Sequence, residues 1–249
     1  MKKYLTIAIG PIVILVIWAI VAKLNLIDSF LLPDPFSVVK DFFQLIFSGT
    51  ITMDILDTLK RVLISFGIAV ALGLPLGLFL GRSEKLYRSC EFIVDFFRST
   101  PATAMFPLFL LIFGITDKSK IAVAAFSSML IIIFNTAYGV MHAKKSRLLA
   151  AQIMGATKAQ IFKYVLFWES LPQTFIGLRS AVSLSLVVII VTEMFIGSAS
   201  GIGRRIIDFQ ITYEIKSMYA VIILTGIIGY LLNMILLMIE RKIVHWNGK

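Results

Sequence analysis

The chain is 249 residues long, 59% of them hydrophobic and only 15% charged, with a mean hydropathy of +0.93. That is too apolar for a soluble globular domain and points to an all-α polytopic membrane protein. The formal net charge of +10 does not call for a nucleic-acid partner, because basic residues gathered on one side of a membrane account for it.

Cys90 is the only cysteine, which excludes an intrachain disulfide, and His142 and His245 stand far apart with no Cys/His cluster, so no metal site is expected. Lys2 and Lys3 precede the first apolar run, residues 5–22. It is longer than the core of a secretory signal and no A-x-A-like cleavage site follows, so it reads as a retained span. LPDP at Leu32–Pro35 leads into an amphipathic piece, Val38–Phe47, whose Phe42, Phe43, Ile46 and Phe47 share a side suited to the membrane surface. A second span, residues 62–80, carries Gly67, Gly73 and Gly77, with Gly81 just beyond, at spacings that let helices approach closely. The third, residues 93–113, is interrupted by Pro101 and Pro107, each of which removes a backbone donor and bends the helix. Such breaks persist in a membrane only where protein or a polar cavity satisfies the freed carbonyls.

The fourth span, residues 121–141, contains Asn135, and the fifth, residues 176–196, contains Glu193. The segment Ser198–Lys216 reads as a loop, with Gly201 and Gly203 as a turn, since a dinucleotide site would need a strand and a helix around them. A sixth span covers residues 218–239, giving one membrane domain over residues 1–249 with about six transmembrane helices. If both termini are cytoplasmic, the inner segments hold 13 basic residues and the outer segments 9, which favours that orientation.

Charged or polar groups inside spans are costly and therefore informative. Glu193 is either a gate or pathway residue facing the bundle interior or the structural partner of a nearby Arg or backbone donor. Arg98 either lines a pathway or snorkels to the inner interface. Asn135 either lines a pathway or hydrogen-bonds between helices. No G-x-x-x-x-G-K-[ST] occurs, so the chain has no phosphate-cradling loop and its energy must come from a partner or a gradient. Ser and His do not pair in a way that suggests intramembrane hydrolysis.

Between spans four and five lies the one long mixed segment, His142–Phe175. Leu148, Leu149, Ile153 and Met154, then Ile161, Phe162 and Val165, recur at helical spacing among Lys144, Lys145, Arg147, Lys158 and Lys163. Two short amphipathic helices fit, with Gly155 at a sharp turn or close approach between them and Pro172 ending the second. Such a basic pair either docks a partner protein or lies on anionic lipid.

AAxxxG at Ala150, Ala151 and Gly155, with Pro172 17 residues beyond the glycine and GLR at Gly177–Arg179, resembles the EAA loop of ABC importer permeases. LPDPFSVV, LKRVLISFGIAVALGLPLGLFLG, RSTPATAMFPLFLLIFGITDKSKI, NTAYG, TEMFIGSASGIG and the terminal HW resemble the permeases of the nitrate/sulfonate/taurine (bicarbonate) subfamily, almost end to end. The resemblance implies a bacterial inner-membrane permease that dimerises, likewise with both termini cytoplasmic. Two ATPase subunits would bind ATP and Mg and dock on the loop, and an external binding protein would deliver solute. It places Ala150, Ala151, Gly155, Ala156 and Pro172 in the coupling element. This chain departs from the family loop at Leu149, where an acidic residue is usual, and at Trp168, where a proline is. An ATP-independent channel is the competing function.

Overall fold

The computed structural model describes residues 2–195 and 198–246, with side chains from residue 9 onward. Ile196, the expected end of the fifth span, lies outside the described residues. Among these every regular element is helical, as expected where an apolar chain must satisfy its own backbone N–H and C=O groups locally. The helices in chain order are α1 (Lys2–Lys23), α2 (Pro35–Phe47), α3 (Thr52–Gly81), α4 (Glu84–Ser99) and α5 (Phe106–Phe113). There follow α6 (Asp117–Met141), α7 (Lys145–Ile153), α8 (Lys158–Ile161), α9 (Phe167–Met194), α10 (Ile202–Ile211) and α11 (Ile215–Ile243).

Among the described residues, four helices are long and apolar enough to cross a membrane: α3, α6, the run Lys158–Met194 that contains α9, and α11. The α4 and α5 helices pass that test only together, and the part of α1 with described side chains, Ile9–Lys23, is apolar.

The core is the packing of α3, α6 and α9, and its closeness comes from glycine. A Cβ at Gly77 would lie 2.7 Å from Thr136 Cβ, and one at Gly81 would lie 2.7 Å from Val140 Cβ. With Gly73 against Ile132, these residues let the α3 and α6 backbones touch, which is how helices associate where no water is expelled. Gly67 faces nothing within 4 Å, so the seam begins only at Gly73, nearly two turns later. Across α6 and α9, Gly139 abuts Ser170 and Gly177 abuts Asn135, and the buried Ser128 and Ser185 hydroxyls lie 2.7 Å apart.

Several expectations are corrected. The third span is not one bent helix: α4 ends at Ser99, a single 3₁₀ turn (Ala102–Met105) follows, and α5 leaves at 90° to α4. Pro101 sits in the break, and Pro107 occupies the first turn of α5, where no donor is needed. Pro172 does not end a helix. From Lys158 the chain runs through α8, a π segment (Phe162–Leu166) and α9 to Met194. A proline orphans only the carbonyl four residues back, and burial of Ser170, Leu171, Thr174 and Phe175 outweighs that loss. Residues 202–211, expected as loop, form α10, because Ile202 and Ile206 one turn apart are both buried in the core. The α2 helix starts at Pro35 behind an Asp34 cap, and Val38 is fully buried, so this piece is docked on the bundle, with Asp41 accepting a hydrogen bond from Ser217 Oγ at 3.1 Å.

Candidate functional site

One end of the bundle carries α7 and α8. Helix α7 closes in a paired-bond C-terminal turn: Ala156 N donates to Ala151 O and Gly155 N to Gln152 O, both at 3.0 Å. That turn needs a left-handed residue, and Gly155 has φ +76°. Ala150 O accepts from Met154 N at 3.0 Å. Thr157 then caps α8 reciprocally with Gln160, a T-x-x-Q signal present in the sequence but missed there. The predicted Ala150, Ala151, Gly155 and Ala156 are thus one rigid turn, while Pro172 lies outside it in α9. A Cβ on Gly155 would meet nothing within 4 Å, so the glycine serves the turn and not a close approach within this chain.

The turn presents apolar surface outward: Leu149 is 57%, Ile153 87% and Met154 85% exposed. Its base is fixed. Glu169 pairs with Arg147 and accepts from Lys144 N at 3.4 Å, and Trp168 packs edge to face on Trp246 at 5.5 Å. Both positions where the chain departs from the family loop are therefore explained: Leu149 is outward-facing surface and Trp168 joins the C-terminal segment to the loop's base. A cleft of about 640 Å³ between the turn and Arg82 is lined by Leu148, Gln152, Lys158 and Phe162.

At the opposite end Glu193 is fully buried. Thr58 Oγ1 donates to its Oε2 at 2.9 Å, Arg61 Nη1 to Oε1 at 2.7 Å and Gly203 N to Oε2 at 3.0 Å. Arg61 Nη1 also donates to Ser200 O at 2.9 Å, and its Nε lies 2.9 Å from Asp117 Oδ1. Beside them Asp54 receives Gly201 N at 2.9 Å and Arg205 Nη2 at 2.6 Å, and Lys120 Nζ reaches Ser198 Oγ at 3.0 Å. The two glycines expected as a plain turn cradle the carboxylate: Gly201 holds φ +123°, and a Cβ on Gly203 would lie 2.7 Å from Glu193 Cβ. Of the two readings of Glu193, the geometry matches the structural partner of an Arg and a backbone donor.

Arg61 and Lys120 are each 5% exposed and paired with carboxylates. Sequence reasoning missed Asp54, Thr58 and Arg61, although their three- and four-residue spacing puts one polar stripe on an otherwise apolar helix.

Asn135 spans α6 and α9, accepting from Gln173 Nε2 at 3.0 Å while donating to Ile131 O at 2.9 Å, which matches the interhelical role. Arg98 lies 3.1 Å from Asp95 and 4.0 Å from the Phe134 ring centroid, next to the break that holds Pro101. Among the described residues no cluster of His, Cys, Asp and Glu could hold a metal.

Membrane-length helices closed on glycine seams, with a broken helix pair and a rigid exposed turn at one end, define a polytopic membrane transport component. The chain belongs to the family of binding-protein-dependent transport system inner membrane components, whose model matches residues 73–245. It is 27% identical to the taurine transport system permease protein TauC of Escherichia coli (strain K12), over 100% of this chain and 92% of that one. It is 28% identical to the nitrate import permease protein NrtB of Synechocystis, over 97% and 90% of the two chains. Among solved structures, an inward-facing form of the MetNI methionine ABC transporter superposes with TM-score 0.65 at 25% identity, covering 78% of this chain and 95% of that one. The chain is thus an ABC transporter permease and an inner-membrane, multi-pass component.

Proposed function

We propose that this chain forms the solute pathway of an ATP-binding cassette importer as one of two identical permease copies. Two separate ATPase subunits, which bind ATP and Mg, dock on the turn between α7 and α8, and an external binding protein delivers a small anion or organic solute such as nitrate, a sulfonate or taurine. Both termini and the turn face the cytoplasm in this reading. The observation that carries it is the exposed Leu149, Ile153 and Met154 on a turn whose own geometry is locked. Apolar surface of that kind on a rigid support suits a protein partner, since well-packed contacts of a few residues dominate such interfaces.

One feature supports coupling through this chain. The continuous helix Lys158–Met194 spans 37 residues, about 55 Å, with the turn at one end and Glu193 near the other. A push on the turn therefore reaches the Glu193 clamp through one rod. Co-isolation of the permease with a Walker-motif ATPase, and stimulation of that ATPase by loaded binding protein, tests the reading. Conductance in liposomes with no ATPase present would support the channel in its place.

A further inference from the structure

Helix α4 shows three faces. Tyr87 and Val94 are buried against α6, and Phe92, Ile93 and Phe96 form an exposed apolar face. Between them Glu84, Arg88, Glu91, Asp95 and Arg98 follow one another at intervals of four, three, four and three residues, which stacks five charges on a single stripe. Four of them are exposed and Asp95 is half-buried.

The depth of the stripe makes it informative. Helix α4 begins at the end of the bundle that carries α7 and runs up α6: Tyr87 and Val94 pack with Ala137 and Ile133, and the Phe97 ring meets the Phe126 ring at 5.4 Å. Phe126 lies about 14 Å from one end of α6 and about 22 Å from the other, at 1.5 Å per residue. Helix α4 therefore climbs from the α7 surface to the middle of the bundle and breaks there at Thr100 and Pro101, while the Arg98 guanidinium, over Phe134, lies about 10 Å above the α7 end of α6. An unwound backbone at that depth cannot face hydrocarbon; it persists against protein or a water-filled cavity, and the charged stripe runs from the α7 surface up to it. A second copy related by a two-fold axis along the membrane normal would set the stripe parallel to its own image, like charge against like, so close dry contact is disfavoured.

We infer that the charged face of α4 is the wall of a water-filled half-channel, and that Arg98 meets the solute at its deep end. The solute class is a small molecule bearing an oxyanion such as a sulfonate or carboxylate. Arg98 is held in place by Asp95 at 3.1 Å and by the Phe134 ring beneath it, and a guanidinium so fixed keeps N–H edges free for an oxyanion. The inference rests on the pathway reading above, but its test needs no ATPase. A wet stripe without an ATPase partner sinks only the importer reading, and a dry stripe in an ATPase-bound permease sinks only this one.

In a Cys90→Ser background, or Cys90→Ala if that fails to insert, single cysteines replace Arg88, Glu91 and Asp95 on the stripe and Phe92 and Phe96 on the apolar face. Membrane-impermeant methanethiosulfonates, one carrying a sulfonate and one a trimethylammonium, are added from the α7 side of vesicles. Thiolate forms only where water reaches, so the stripe positions are expected to react about tenfold faster than the apolar pair. Equal rates on the two faces, or an unreactive Asp95→Cys, would overturn the half-channel. At Glu91→Cys, adding Arg98→Gln is expected to lower the sulfonate-to-ammonium rate ratio about fourfold at low ionic strength, the opposite effects on the two reagents of removing one charge about 10 Å away in water. An unchanged ratio would remove Arg98 from contact with the solute.

Discussion

Arg61 Nη1 stands 2.7 Å from Glu193 Oε1, joining α3 to α9 inside the bundle with both side chains out of water. Neither charge is tolerable alone at that depth. The pair, with Thr58, Ser200 and Gly203 filling the remaining hydrogen-bond positions, also fixes the segment that leads into α10.

Arg61→Ala strands the Glu193 carboxylate, and breaking a buried pair from one side costs about 3–5 kcal/mol. The purified variant is expected to melt well below Arg204→Ala, which loses only an exposed i,i+4 pair with Asp208 worth about 1 kcal/mol or less. The double variant Arg61→Gln with Glu193→Gln should regain part of the loss. Equal melting of Arg61→Ala and Arg204→Ala in detergent would show that the clamp carries no weight.

Gly201→Ala places a methyl group into the Glu193 carboxylate at a φ of +123° that alanine avoids. Gly226→Ala is the control, because a Cβ there meets nothing within 4 Å. The first is expected to lower stability by several kcal/mol through strain and an uncoupled charge, the second by at most a few tenths or to raise it. Denaturation of the two proteins side by side decides it.

At the other end, Gly155→Asp and Gly155→Asn both put a side chain that tolerates φ +76° on the turn, but only Asp adds a charge to the proposed docking surface. Both should insert and be expressed like the parent. Uptake and the stimulation of ATPase by loaded binding protein are expected to fall about tenfold or more in Gly155→Asp, as when a central interface contact worth over about 1.4 kcal/mol is lost. Gly155→Asn should retain most of both. Full stimulation in Gly155→Asp would show that the turn is not where the ATPase acts.

Orientation is open to direct labelling. In a Cys90→Ser background, Asp208→Cys on the partly exposed side of α10 is expected to react with an impermeant thiol reagent in intact cells, and Lys158→Cys in α8 only after permeabilisation. The reverse pattern would invert the topology and place the turn outside.

What the sequence determined by itself is what depends on local pattern. Apolar runs of span length required membrane helices, the i+4 glycines announced a close seam, and Gly155 between two amphipathic runs marked a sharp turn. Those signals are carried by neighbours along the chain, and the structure keeps them, down to the left-handed Gly155. Tertiary structure alone decided which polar groups meet. Glu193 finds Arg61 across 132 residues of sequence, Glu169 finds Arg147 across 22, and no periodicity within either helix encodes such a distant partner. It also overruled two local rules. Pro172 sits inside a continuous helix because packing on α6 outweighs one lost hydrogen bond, and residues 202–211 coil because Ile202 and Ile206 have a core to enter. A buried charge or a free carbonyl is settled by whatever the fold brings beside it, and that is a property of the whole bundle.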